Sequence, residues 1–265
     1  MIRDITIGQY YQTDSVIHRL DPRVKLIATI IFIISLFLVG NVCGYLIAAL
    51  FLVSCIKLSN VPFKFMVRGM KAIMFLLLLT VAFNLFLTPG ETLVQIWKLR
   101  ITKEGLVLAV TMAVRLSFLI IGSSVMTLTT TPNNLTDGME SLMKPLEKLK
   151  VPVHEIAMMM SIALRFIPIL LEETDKIMKA QIARGADFES GNVLKKAKAM
   201  VPLLVPLFIS AFRRANDLAM AMEARCYRGG EHRTKMKPLV YKKQDYMAYL
   251  VLLVYFVACI VIGRL

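Results

Sequence analysis

Residues 156–185 read IAMMMSIALRFIPILLEETDKIMKAQIARG. The first part is greasy enough for a membrane, the second mixes charged and apolar residues at helical spacing, and the end places one arginine between two small residues, Ala183-Arg184-Gly185. The apolar part, 156–171, makes a poor membrane span: it carries Arg165 and Pro168 and is shorter than the roughly 20 residues a span needs. If the helix is continuous from 156 to 184, it extends on the order of 40 Å. Pro168 is expected to kink it, and Gly185 fits a helix stop.

The pattern recurs. MVPLLVPLFISAF (200–212) is apolar, too short to span, and interrupted by Pro202 and Pro206. RRANDLAMAMEARCYRGG (213–230) continues it as an amphipathic run ending in Ala224-Arg225-Cys226, with Gly229 and Gly230 expected to supply the stop slightly later. Two long helices are predicted, each apolar at one end, polar toward the cytoplasm, and tipped by an arginine. The tips lie 225 − 184 = 41 positions apart.

The rest of the chain sets the environment. Of 265 residues, 57% are hydrophobic and the mean hydropathy is +0.65, beyond the roughly 45–50% apolar content of soluble domains. Membrane-length runs occur at 24–40, 42–58, 71–89, 105–130 and 246–263. In LDPRVKL, Asp21 is the expected N-cap and Pro22 the first helical residue of the first span. The stretch 90–104 alternates well enough for a short hairpin or interfacial loop. Gly40 and Gly44 match G-x-x-x-G but fall at the expected turn between the first two spans, and are assigned to that turn.

The fold class is therefore an all-α integral membrane protein, with about five transmembrane helices plus a cytoplasmic domain of long helices. An N-terminal membrane region, 1–130, holds four spans; 131–244 is the cytoplasmic domain; 245–265 is the last span. The net charge of +14 clusters between apolar runs, as in basic cytoplasmic loops. Arg3, Arg19, Arg23 and Lys25 precede the first span, and Lys57, Lys64, Arg68 and Lys71 join the second to the third. This places the chain in the cell membrane, N-terminus inside and C-terminus outside. Lys98, Arg100 and Lys103 run against the rule. A nucleic-acid partner is not expected, because such a binder needs no membrane-length runs.

Small residues beside Arg184 and Arg225 suit a docking tip. They let another backbone come close, while the guanidinium offers a planar fork of donors. The plainer alternative is that each arginine caps its own helix C-terminus, where a cation is favoured. Repetition at matching places favours docking. Arg115, mid-way along the fourth span, is either a functional intramembrane charge or a packing group satisfied internally, since no carboxylate lies in the spans. Met158, Met159, Met160, Met178, Met200, Met220 and Met222 are either core or a soft surface that fits several partners.

Other chemistry is not evident. There is no phosphate-loop motif, so no nucleotide site is expected. HEIAM (154–158) lacks the second histidine of a zinc-protease helix. Cys43, Cys55, Cys226 and Cys259 form no CxxC pair, so neither metal site nor disulfide framework is suggested. No catalytic cluster stands out.

SVIHRLDPRVKL (15–26), LRFIP (164–168), RRANDLAMAMEARCYRGG (213–230) and, above all, TTTPNNLTDGMESLMKPLEKLKVPVHEIAMMMSIALRFIPILLEETDKIMKAQIARGADF (129–188) resemble one family. It is the transmembrane scaffold, or T component (EcfT type), of energy-coupling factor transporters, within the wider group that includes the cobalt-transport permease CbiQ. The resemblance runs over nearly the whole chain. It implies two cytosolic ABC ATPase partners, which carry the ATP and magnesium, and one or more small membrane substrate-binding S components that import a vitamin or metal ion. This chain would bind no cofactor and perform no catalysis. It implies that Ala183, Arg184, Gly185, Ala224, Arg225 and Cys226 dock in ATPase grooves at the ends of coupling helices. The family's usual second motif reads Ala-Arg-Gly, and Cys226 departs from it. The coupling helices need a two-state element, for which Pro168, Pro202 and Pro206 are the hinge candidates. The rival is a conventional ABC permease subunit that forms the substrate path itself. It would need polar faces in the spans, where Arg115 and a few Ser, Thr and Asn stand. A second rival is an intramembrane enzyme.

Overall fold

The computed structural model describes residues 10–96, 99–186, 188, 193–230, 236 and 238–263; Arg3 and Lys98, used in the charge reading, lie outside them. In chain order the helices are α1 (Pro22–Leu38), α2 (Val42–Ser59), α3 (Phe63–Leu87), α4 (Lys103–Thr129), α5 (Pro132–Met143), α6 (Val153–Ala183), α7 (Val193–Ala224) and α8 (Lys243–Gly263). A 3₁₀ segment, Lys144–Leu149, joins α5 to α6. Strands β1 (Thr92–Ile96) and β2 (Leu99–Thr102) pair antiparallel between α3 and α4. The protein is a helical membrane protein, and the alternation at 90–104 has become a hairpin.

The start of α1 follows from its sequence. Asp21 caps it by accepting the Arg23 N–H (2.9 Å), and Pro22 sits in the first turn, where a missing N–H costs nothing. Burial alone would raise the Asp21 carboxyl, but the Arg23 guanidinium and N–H hold it below its ordinary value. The Asp245 carboxylate accepts the Asp21 N–H (2.8 Å) and the Lys242 N–H (2.7 Å), tying the first turns of α1 and α8 together. The Arg23 guanidinium lies 3.8 Å from the centre of the Tyr241 ring and donates to the Leu239 carbonyl.

The core of this region joins α1, α2, α4 and α8 through Phe32, Leu36, Ala48, Leu52, Val125, Leu252 and Tyr255. Tyr255 stacks on Phe51 (4.2 Å) and shares a 2.6 Å hydrogen bond with Ser35. The outward faces are apolar too: Leu50 is 69% exposed and Leu250 64%. A helix apolar on every side suits a hydrocarbon surround.

One helix beyond the expected spans, α6, has the length and composition of a span. Among the described residues α2, α4, α6 and α8 qualify by length and composition, with mean hydropathies of 2.0, 2.1, 1.6 and 2.4. At 17 residues α1 falls just short of that length, and α3, 25 residues in all, contains the apolar run Ile73–Leu87. Arg165 and Pro168 do not bar α6, because the flanking apolar residues outweigh one charge and helical length continues through the proline. Gly44 also departs from its expected place: it lies in the first turn of α2, where a Cβ would meet Val39 Cγ1 at 2.4 Å.

By packing, the chain forms two compact units. One comprises Gly8–Ser141 and Leu239–Leu265, the other Leu142–Pro238. Helix α5 packs with the first unit, Gly138 lying close enough to α1 that a Cβ would approach Pro22 Cβ at 3.1 Å.

Candidate functional site

The two arginine tips are built alike. At the end of α6 the Gly185 N–H bonds to the Ile182 carbonyl (2.9 Å) and the Ala186 N–H reaches back to Gln181 (3.0 Å). At the end of α7 the Cys226 N–H bonds to Glu223 (2.8 Å) and the Tyr227 N–H to Met222 (3.0 Å). Both are the paired closing bonds of a Schellman turn, with arginine at the C-cap and the next residue left-handed. Gly185 has φ +88 and Cys226 φ +56.

This geometry corrects the expected role of Gly229 and Gly230. The stop at the second tip is made by Cys226, three residues before the first glycine, and Gly229 (φ +93) bends the chain afterwards. It also re-explains the small residues. A Cβ on Gly185 would meet nothing within 4 Å, so its smallness serves the backbone angle and not close packing within the chain.

All six tip residues are exposed. Neither the Arg184 nor the Arg225 guanidinium hydrogen-bonds or pairs with a described residue, while their C-cap positions place both cations where the helix dipole favours them.

Helices α6 and α7 are held together by side chains. Ser210 and Arg214 both donate to the Glu173 carboxylate, at 2.5 and 2.8 Å. Nearer the first tip, Gln181 Nε2 donates to the Pro202 carbonyl (3.3 Å). That carbonyl has no helical partner, because its i+4 residue is Pro206, which lacks an N–H. At the other end Gly230 packs against the His154 ring, which a Cβ would meet at 2.5 Å. As position rises along α6 its partner on α7 falls, so the pair is antiparallel and the tips point to opposite ends. From Glu173 each tip is about a dozen residues away in opposite directions, a separation of roughly 35 Å along a straight pair. Pro168, Pro202 and Pro206 all lie inside uninterrupted helix.

Helix α7 presents an apolar stripe on its free side: Val201, Leu204, Val205, Phe208 and Phe212, with Phe208 72% exposed. Met159, Met160, Met200 and Met220 are exposed as well, so these four methionines are surface and not core.

Arg115 is spent locally. Its Nε donates to the Tyr45 hydroxyl (3.0 Å) and its Nη2 to the Val39 carbonyl (3.4 Å), and the guanidinium lies 5.6 Å from the Phe37 ring centre. Val39 caps the C-terminus of α1, where the helix dipole attracts a cation. No carboxylate among the described residues reaches it, and no described group of His, Cys, Asp and Glu is arranged to hold a metal.

Sequence reading missed Glu173, Ser210, Arg214 and Gln181 as the links between the long helices. One signal was available: prolines spaced i, i+4 leave an orphan carbonyl that must find a donor elsewhere.

The cobalt transport protein family CbiQ matches residues 13–236. A Clostridium kluyveri protein named energy-coupling factor transporter transmembrane protein EcfT is 57% identical over 256 residues, covering 96% of this chain and 95% of that protein. Proteins of the same name from Thermosediminibacter oceani and Bacillus subtilis are 55% and 50% identical over 249 and 246 residues. They cover 94% and 92% of this chain and 94% and 93% of their own lengths.

Proposed function

This chain belongs to the CbiQ family and, at 57% identity over almost its whole length, to the energy-coupling factor transporter transmembrane proteins; from that premise we propose that it is the mechanical scaffold of an ATP-driven uptake transporter. Two ABC ATPases each receive one arginine tip. A small membrane S component captures a vitamin or metal ion and is rearranged when the tips move. ATP and magnesium are held by the ATPases, and this chain performs no catalysis. The N-terminus lies inside and the C-terminus outside.

One observation carries the reading. Two like-built ends expose a guanidinium with no described partner, and they sit at opposite ends of one cross-linked helix pair. That arrangement suits two separate grooves better than one. Glu173, with Ser210 and Arg214, makes the pair move as a unit, and Pro168, Pro202 and Pro206 are where its helices bend. The apolar stripe on α7 is the surface for the S component. A conventional permease would need a polar path through the spans, and Arg115 is already engaged by Tyr45 and Val39.

The test is co-expression with both ATPases and an S component, followed by affinity capture of this chain. Wild type brings down all three kinds of partner. The Arg184→Ala, Arg225→Ala double variant retains the S component and loses the ATPases. Full retention of both ATPases by the double variant would overturn the docking assignment. Capture of ATPases without an S component from wild type would favour the permease.

A further inference from the structure

A cavity of about 290 Å³, open on one side, lies in the membrane unit among α1, α2, α4, α8 and the segment that precedes α1. Its lining runs from Lys25 to Phe32 on α1, from Thr129 to Gly122 on α4, and from Gln244 to Leu252 on α8. Each run covers about 10–12 Å at 1.5 Å per residue. Lys25, Thr129 and Gln244 stand at the same end, close to the first turns of α1 and α8 and the last turn of α4, while the hydroxyl of Thr29, one turn further along α1, is spent on the Lys25 carbonyl. The space is thus a slot along the helix axes, polar at one end and apolar along its length.

Such a slot does not hold water well, because water there finds too few polar partners. Left empty, its walls forfeit dispersion contacts. A hydrocarbon chain fills both needs. The polar end also has a stated charge preference. Lys25 is only 8% exposed, and of its ammonium's three donors the described residues use two, through the His18 and Thr129 carbonyls, leaving one donor. The nearby carboxylates act on Lys25 through space but do not take its hydrogen bonds: Asp21 is bonded by Arg23, and Asp245 by the N–H groups of Asp21 and Lys242. Exposed Lys57 and Lys243 adjoin the lining residues Leu58 and Gln244.

We infer that this slot binds one acyl chain of an anionic phospholipid, with the phosphate or ester oxygens on Lys25 and flanked by Lys57 and Lys243. The site is independent of the arginine tips and of the transported cargo. It places a lipid against the junction of α1 and α8, which the Asp245 clamp also joins.

The test uses the full chain in nanodiscs containing phosphatidylglycerol with a diazirine at the acyl terminus, and maps the photo-adducts by mass spectrometry. Adducts should concentrate on residues 24–32, 122–129 and 247–252. Unlabelled phosphatidylglycerol should suppress them about tenfold better than phosphatidylcholine, the effect of one charge-assisted hydrogen bond. Ala248→Phe, which fills the slot, should abolish the concentrated adducts. Lys25→Met should keep them and remove the lipid preference. Adducts spread evenly over every lipid-facing helix of the wild type would overturn the site, and equal competition by the two lipids would overturn its anionic selectivity. The wild-type arms decide the matter even where a variant fails to fold. Loss of the adducts once the partner subunits are assembled would identify the slot as a protein interface and also overturn the proposal.

Discussion

Ala183-Arg184-Gly185 and Ala224-Arg225-Cys226 close their helices with the same pair of backbone bonds, yet reach that turn at different cost. Gly185 adopts φ +88 freely. Cys226 holds φ +56 with a Cβ in place, a strain of about 1 kcal/mol. The comparison separates what the turn requires from what it does not. The residue after each arginine is constrained by a left-handed backbone, so its small size says little about a partner. The arginine is not constrained in that way: Arg184 has φ −87, ψ 5, open to most residues. Two guanidiniums in unconstrained positions, both exposed, are the feature that local structure leaves over for binding.

The largest effect should come from removing both guanidiniums. Truncating one buried, hydrogen-bonded charge at an interface costs about 2–5 kcal/mol. Each single alanine variant should therefore weaken ATPase association by about 30-fold or more, and the double variant should abolish capture. If the tips are equivalent, Arg184→Ala and Arg225→Ala lose similar amounts. A strong inequality, measured as the dissociation rate of each ATPase, would show that the Cys226 tip sits differently in its groove.

A smaller effect sharpens the same point. Arg184→Lys and Arg225→Lys keep the cation at the helix C-terminus, so any contribution to the helix itself, about 0.3–1 kcal/mol, should survive. The planar fork is lost. Helix content and thermal stability should match wild type while ATPase affinity falls about tenfold, the worth of one charge-assisted bond. Unchanged affinity would return both arginines to the role of helix caps.

Exchanging the residues after the arginines tests the turn. Gly185→Cys should fray the first tip, and Cys226→Gly should tighten the second, each by about 1 kcal/mol. Hydrogen exchange at the Ala186 and Tyr227 amides, which make the closing bonds, reads this directly. Faster exchange at Ala186 and slower exchange at Tyr227 are expected.

How much of this was legible in the sequence depends on the range of the interaction. The α1 start was legible because Asp21 and Pro22 act within one turn, and the hairpin at 90–104 because alternation is local. The tips were found by repetition. Their construction was not: glycines at 229 and 230 drew the expected stop away from Cys226, since a cysteine in the left-handed region is uncommon enough to be passed over. Long-range facts were out of reach. Nothing near Arg115 in the chain points to Tyr45 or Val39, and nothing near Asp245 points to the Asp21 N–H. The cross-links between α6 and α7 belong to the same class, although one of them left a trace.

That trace yields the smallest and most discriminating effect. Pro206 removes the N–H that the Pro202 carbonyl would accept, and Gln181 supplies a side-chain donor in its place. Gln181→Leu should therefore cost about 1 kcal/mol, because it strands a helix carbonyl. Pro206→Ala returns the backbone donor, so in that background the Gln181→Leu cost should shrink toward zero. A double-mutant cycle on thermal or denaturant stability measures the difference. Equal costs in both backgrounds would mean that water satisfies the carbonyl and that Gln181 only rests beside it. A vanishing cost would tie the end of α6 to the proline pair of α7. The first tip would then move with the bend of its neighbour, whereas beyond the second tip Gly230 packs on the His154 ring of α6, a contact that does not depend on the proline pair.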